Sequence, residues 1–172
     1  MCCVVDANTP LCFSQVKLLS DNAPMKTIIK PKQLVPGQMI GVVAPSSPPR
    51  QAVDIAIWLD RVRDLGFRVK VGDHVYDRHG YLAGLDKDRA TDINQMFADD
   101  EVDAIFCLRS GYGSARTLQY LDFDLIRQHP KVIIGYSDLT ALILAIHART
   151  GLVTFHGPEC EDQLVLRPYS KI

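Results

Sequence analysis

Apolar positions along the chain alternate between two spacings. Met39-Ile40-Gly41-Val42-Val43-Ala44 is a short apolar run, broken at once by Pro45-Ser46-Ser47-Pro48-Pro49, which is the pattern of a buried strand entering a loop. Ile55, Leu59 and Val62 recur at helical spacing within residues 51–65, and Gly66 ends that helix. Phe67, Val69 and Val71 alternate as a strand, and residues 73–85, rich in Asp, His and Gly, read as a loop. Asp86 is the expected N-cap of a helix over 87–99, with Ala90, Ile93 and Phe97 on one face. Val102 to Leu108 is a second buried strand, Gly111 to Gly113 a turn, and Ala115 to Tyr120 the opening of a helix. Val132 to Gly135 is the next strand. Leu139, Leu142, Ile143 and Ile146 form the stripe of the following helix, Gly151 ends it, and Leu152 to Phe155 is the last strand.

Strands alternating with helices imply an α/β fold, a parallel sheet with helices on both faces. Ligands in such sheets bind beyond the carboxyl ends of the strands. Three loops fall there, 45–49, 109–114 and 135–138.

The first 24 residues break this order. They carry Cys2, Cys3 and Cys12, three of the five cysteines, and no sustained period. They are expected to form a loosely ordered extension ahead of a domain over 25–158, with Met25 as an alternative start. The odd cysteine count, with no paired spacing, argues against a disulfide framework. A net charge of −1 gives no broad pull toward nucleic acid or an anionic membrane. No apolar run approaches the ~20 residues of a membrane span, and the start lacks the order of a secretory signal, so a cytoplasmic setting is expected.

Gly135-Tyr136-Ser137-Asp138 is the strongest chemical signal. A serine on a sharp turn between strand and helix is exposed at the sheet edge. The backbone N–H of the next residue then lies near a helix N-terminus, where it can face an oxyanion. Leu139 stands where the elbow pattern G-x-S-x-G has its second glycine, and the local motif alone favours Ser137 as a helix cap. The segment Arg109-Ser110-Gly111-Tyr112-Gly113-Ser114-Ala115-Arg116 also follows a strand. As a dinucleotide loop it fails at Arg116, where the third glycine belongs. As a second oxyanion donor beside Ser137 it fits, and Arg109 could meet a substrate carboxylate or form a structural ion pair. The histidines lack a metal-ligand spacing, so no metal is expected. Cys107 lies inside a strand and reads as core.

Several segments together resemble the LD-carboxypeptidase family, which includes muramoyltetrapeptide carboxypeptidases and microcin C self-immunity peptidases. These are Ile40 to Pro48; Tyr81-Leu82-Ala83-Gly84 with Arg89 and Asp92; Arg109 to Gly113; Gly135 to Thr140; and Gly151 to Pro158. The resemblance implies a flavodoxin-like domain, similar to that of class I amidotransferases, within a Ser-Glu-His hydrolase. It maps the nucleophile onto Ser137 and the oxyanion donors onto the N–H groups of Asp138 and Gly111, with Arg109, Ser110 and Tyr112 near the substrate. Ser110 stands where the family usually has glycine. The implied activity is removal of the terminal D-alanine from murein tetrapeptides during cell-wall recycling, by homodimers without a cofactor. The implied Glu and His belong to a second domain after the Gly157-Pro158 segment. Residues 159–172 do not resemble its beginning, so the chain is expected to be a truncated N-terminal half, inactive alone. The rival expectations are a non-catalytic remnant that binds small peptides and a nucleotide-binding module.

Overall fold

The computed structural model describes residues 27–157; the expectations for 1–24 and 159–172 fall outside them. Five strands form one parallel sheet: β1 (Met39–Val43), β2 (Arg68–Val71), β3 (Ala104–Cys107), β4 (Val132–Gly135) and β5 (Phe155–His156). Their order is β2-β1-β3-β4-β5, with every neighbouring pair parallel. The winding direction reverses between β1 and β3, and the carboxyl ends of strands at such a reversal are where these sheets bind ligands.

Four α-helices cover the sheet: α1 (Ala52–Asp64), α2 (Asp86–Ala98), α3 (Phe123–Gln128) and α4 (Thr140–Thr150). Side chains alternate across each strand. Ile40, Val42 and Ala44 of the first strand and its exit, with Ala104 and Leu108 around the third, pack against Ile55, Trp58, Leu59 and Val62 of α1. Val43, Ile105, Cys107 and Ile133 point to the other face and meet α2, α3 and α4. Both faces of β1, β3 and β4 are thus apolar, which explains why these strands read as short continuous runs, while the edge strand β2 alternates.

Several boundaries differ from the sequence reading. Asp86 is not a cap but the first residue of α2; Leu85 is its N-cap and gives no side-chain bond. Residues Ser114–Tyr120 form a 3-10 helix, not the start of an α-helix. Helix α3 was not expected at all. Its cap is explicit, since the Asp122 side chain accepts from the Asp124 and Leu125 amides, but only Ile126 of its residues is buried, too little for a periodic signal. The last strand begins later than Leu152. Leu152 instead bridges to Ile29 in parallel, with Ile29 N–H donating to Gly151 O at 2.9 Å and Val153 N–H to Ile29 O at 2.8 Å.

Candidate active site

Between β4 and α4 the chain turns within a few residues. Gly135 lies so close to the following helix that a Cβ there would sit 2.9 Å from Leu139 Cβ, and only glycine fits without a shift. Ser137 then adopts φ 55°, the only positive φ at a non-glycine residue among those described. Its side chain is exposed. It opens a short 3-10 turn, Ser137–Leu139, that runs into α4, and neither this turn nor α4 has a side-chain cap bond. The capping alternative for Ser137 is therefore not what the chain does. Left-handed backbone costs a non-glycine residue about 1–2 kcal/mol, and such strain concentrates at functional positions. The Asp138 N–H lies in the first turn, among amides that have no acceptor within a helix.

The 109–114 loop is tied to this turn. Ser114 donates its N–H to Asp138 Oδ2 and its hydroxyl to Asp138 O, at 2.9 and 2.7 Å. Gly111, at φ 149°, packs so tightly on the 45–49 loop that a Cβ would fall 2.0 Å from Ser47 Oγ. The three loops named from the sequence thus meet in one cluster at the carboxyl edge. Arg109 is half-buried and donates from Nη1 to Pro48 O at 3.0 Å, so it braces the cluster rather than standing free. Ser110 is half-buried beside it, and Tyr112 is 79% exposed on the rim.

One residue known only as part of a motif, Arg89, turns out to organise the cluster. The Arg89 side chain is fully buried; Nη1 donates to Pro45 O and to Gly113 O, and Nη2 pairs with Asp86. Burial pulls its pKa below the ordinary guanidinium value, and Asp86 opposes that. Asp92, also buried, accepts the His74 N–H at 3.0 Å, and burial raises its carboxyl pKa. The available signal was one of pattern: Arg89 and Asp92 flank the apolar stripe of α2, where solvent-facing residues would be expected.

Among the described residues, His74, Asp77 and Asp88 place ligand atoms within 4.8 Å of one another. His74 Nδ1 pairs with Asp77 Oδ2 at 2.8 Å, and acidic groups commonly gather at such places without an ion. Burial pushes the Cys107 thiol up to about 12, so it is inert as a nucleophile. No helix among the described residues is long and apolar enough to cross a membrane.

Residues 40–157 match the profile of the LD-carboxypeptidase N-terminal domain. A Bacillus subtilis protein named "Probable murein peptide carboxypeptidase" is 50% identical over 130 residues, covering 75% of this chain and 40% of that protein. The crystal structure of an MccF-like protein from Bacillus anthracis superposes with a TM-score of 0.74 at 36% identity, over 77% of this chain and 41% of that one. The microcin C7 self-immunity protein MccF, solved in complex with aspartyl sulfamoyl adenosine, gives a TM-score of 0.75 at 31% identity, over 83% and 43%. The chain spans less than half the length of each of these relatives.

Proposed function

Since this chain belongs to the LD-carboxypeptidase family, we propose that it is the nucleophile-bearing domain of a serine-type carboxypeptidase that removes the terminal D-alanine from murein tetrapeptides. The observation that carries this reading is Ser137, exposed and held at φ 55° on the turn between β4 and α4. In this reading the Ser137 hydroxyl attacks the scissile carbonyl as a base on a second domain takes its proton. The Asp138 and Gly111 amides donate to the tetrahedral oxyanion. D-Alanine leaves as the amine, protonated by the same base, and water then releases the acyl group from Ser137. Arg109, Ser110 and Tyr112 form the rim on the substrate side. No cofactor is needed for this chemistry. A cytoplasmic setting in cell-wall recycling and a homodimeric enzyme go with the reading.

A second substrate class is favoured by one observation. The MccF relative is solved with aspartyl sulfamoyl adenosine, an aminoacyl-nucleotide mimic. The same serine chemistry would cleave the carboxamide-like bond of such a ligand. The test supplements this chain with the separately expressed C-terminal half of a full-length relative and measures release of D-alanine from a murein tetrapeptide. A peptidyl-nucleotide is run in parallel. D-Alanine release that Ser137→Ala abolishes is expected; cleavage of the nucleotide substrate alone would move the chain to the second class, and release unchanged by Ser137→Ala would remove the serine assignment.

A further inference from the structure

We propose that Arg89 is the positioning residue of this site, a buried brace that sets the spacing of the 45–49 and 109–114 loops through their backbone carbonyls and so fixes where the Gly111 amide lies. The inference rests on the reading of Ser137 and Gly111 given above and extends it to a residue that touches no substrate.

Strands β1 and β3 are neighbours, so the loops that leave them open on the two sides of one crevice. Arg89 reaches into that crevice from the first turn of α2. One nitrogen, Nη1, donates to both loops, to Pro45 O and to Gly113 O, the latter at 3.0 Å. The other, Nη2, is engaged by Asp86. Asp86 is fixed in turn by Arg116 Nε at 2.9 Å, from the 3-10 helix that follows the loop. The guanidinium is thus fastened at three points in a side chain with no exposed surface.

The path continues to the nucleophile. Gly113 takes φ 119°, and the next residue, Ser114, donates twice to Asp138. Asp138 is the neighbour of Ser137. A path of hydrogen bonds joined by the Gly113–Ser114 peptide link therefore runs from Arg89 to the elbow. Gly111 sits in the contact between the two loops that Arg89 joins, with no room for a Cβ against Ser47. A shift of either loop would move the Gly111 amide relative to Asp138. Lysine cannot substitute, because an ammonium is a single point of charge without the planar fork that reaches several partners in fixed directions.

The test compares the full chain with Arg89→Lys, Arg89→Met and Asp86→Asn by residue-resolved hydrogen exchange. Amides of 109–114 and 136–139 are expected to exchange about ten-fold faster or more in all three variants, while Ile105 and Ile133 in the strands change far less. If Arg89→Met fails to fold, Asp86→Asn, which keeps the arginine but loosens its anchor, carries the comparison. Uniform acceleration of every amide would show a merely structural role and overturn the proposal, as would wild-type loop protection in Arg89→Lys. A second arm measures D-alanine release with the complementing C-terminal half, where kcat is expected to fall about ten-fold with little change in KM. Exchange decides the role of Arg89 even if wild type gives no turnover; absent turnover would count against the serine reading instead.

Discussion

Ser114 donates to Asp138 twice, from its backbone N–H to the carboxylate at 2.9 Å and from its hydroxyl to the backbone carbonyl at 2.7 Å. The two residues are 24 apart in sequence and belong to loops after different strands, β3 and β4. Ser114 is fully buried, so neither bond competes freely with water. The pairing locks the residue after Ser137 to the loop that carries Gly111.

Replacing Ser114 by Ala should therefore loosen the elbow without unfolding the sheet. The variant keeps the amide bond and loses the hydroxyl bond, leaving the half-buried Asp138 carbonyl with one donor fewer. A loss of about 1–2 kcal/mol is expected in urea unfolding. A Ser114→Ala chain as stable as wild type would mean that the hydroxyl bond does not persist in solution.

The backbone of Ser137 makes a second, opposite prediction. At φ 55° any side chain carries left-handed strain, and only glycine is relieved of it. Part of that relief is offset by the greater freedom glycine has when unfolded. Ser137→Gly is expected to be more stable than Ser137→Ala by about 0.5–1 kcal/mol, although both remove the hydroxyl. Equal stabilities, or an advantage for alanine, would show that the turn is not strained.

The elbow was legible because its two flanks are local. The run Val132 to Gly135 and the stripe Leu139, Leu142, Ile143, Ile146 adjoin, so the turn between them could be placed to the residue. The boundary errors arose where the deciding contact is distant. Ile29 takes Leu152 as its bridge partner, and nothing near Leu152 announces it. An acid just before a helix reads as a cap, yet Asp86 is drawn to Arg89 and Arg116. A 3-10 helix of seven residues, Ser114–Tyr120, differs too little from an α-helical period to be told apart. Arg89 shows the same limit most clearly. Its partners Pro45 and Gly113 lie 44 and 24 residues away, and its charge argues for the surface until the partners are known.

The loop before α2 should give the chain a histidine-dependent stability. The bond from His74 to Asp77 raises the His74 pKa above its ordinary 6.5, with smaller help from the charges of Asp92 and Asp88. The folded chain then holds the proton more tightly than the unfolded one. This contribution is complete below about pH 6.5 and is lost as pH rises through the lifted folded value. Asp77 is about half exposed, so screening keeps the effect small. The difference in urea midpoint between wild type and Asp77→Asn is expected to be largest on the acid side and to shrink above neutrality. A difference that grows with pH would contradict the pairing.

The last prediction concerns what this chain does by itself. A serine hydroxyl is a poor nucleophile at neutral pH unless a base takes its proton during attack. The resemblance puts that base, a histidine oriented by a glutamate, on a second domain beyond the matched segment. The histidines among the described residues are poor substitutes. His74 is engaged by Asp77. His79 lies in the 73–85 loop, outside the three loops that meet at Ser137, and its backbone pairs with that of Leu82. His129 lies 3.5 Å from Asp100, and it precedes β4, at the end of that strand opposite Ser137. His147 pairs through Nδ1 with Leu152 O, about 10 Å along α4 from its first turn. His156 is the exception in position, since its ring lies 5.2 Å from that of Tyr136, the residue before the nucleophile. An oxyanion hole and binding alone can leave roughly 10^3–10^4 of acceleration over water, but only with a formed pocket. The chain alone is therefore expected to release no appreciable D-alanine from a murein tetrapeptide. Three proteins are compared: the chain, Ser137→Ala and His156→Ala. Robust turnover lost in both variants would make His156 the base and place a working catalytic pair within this domain. Turnover lost in Ser137→Ala but kept in His156→Ala would mean that some other group of the chain serves as base.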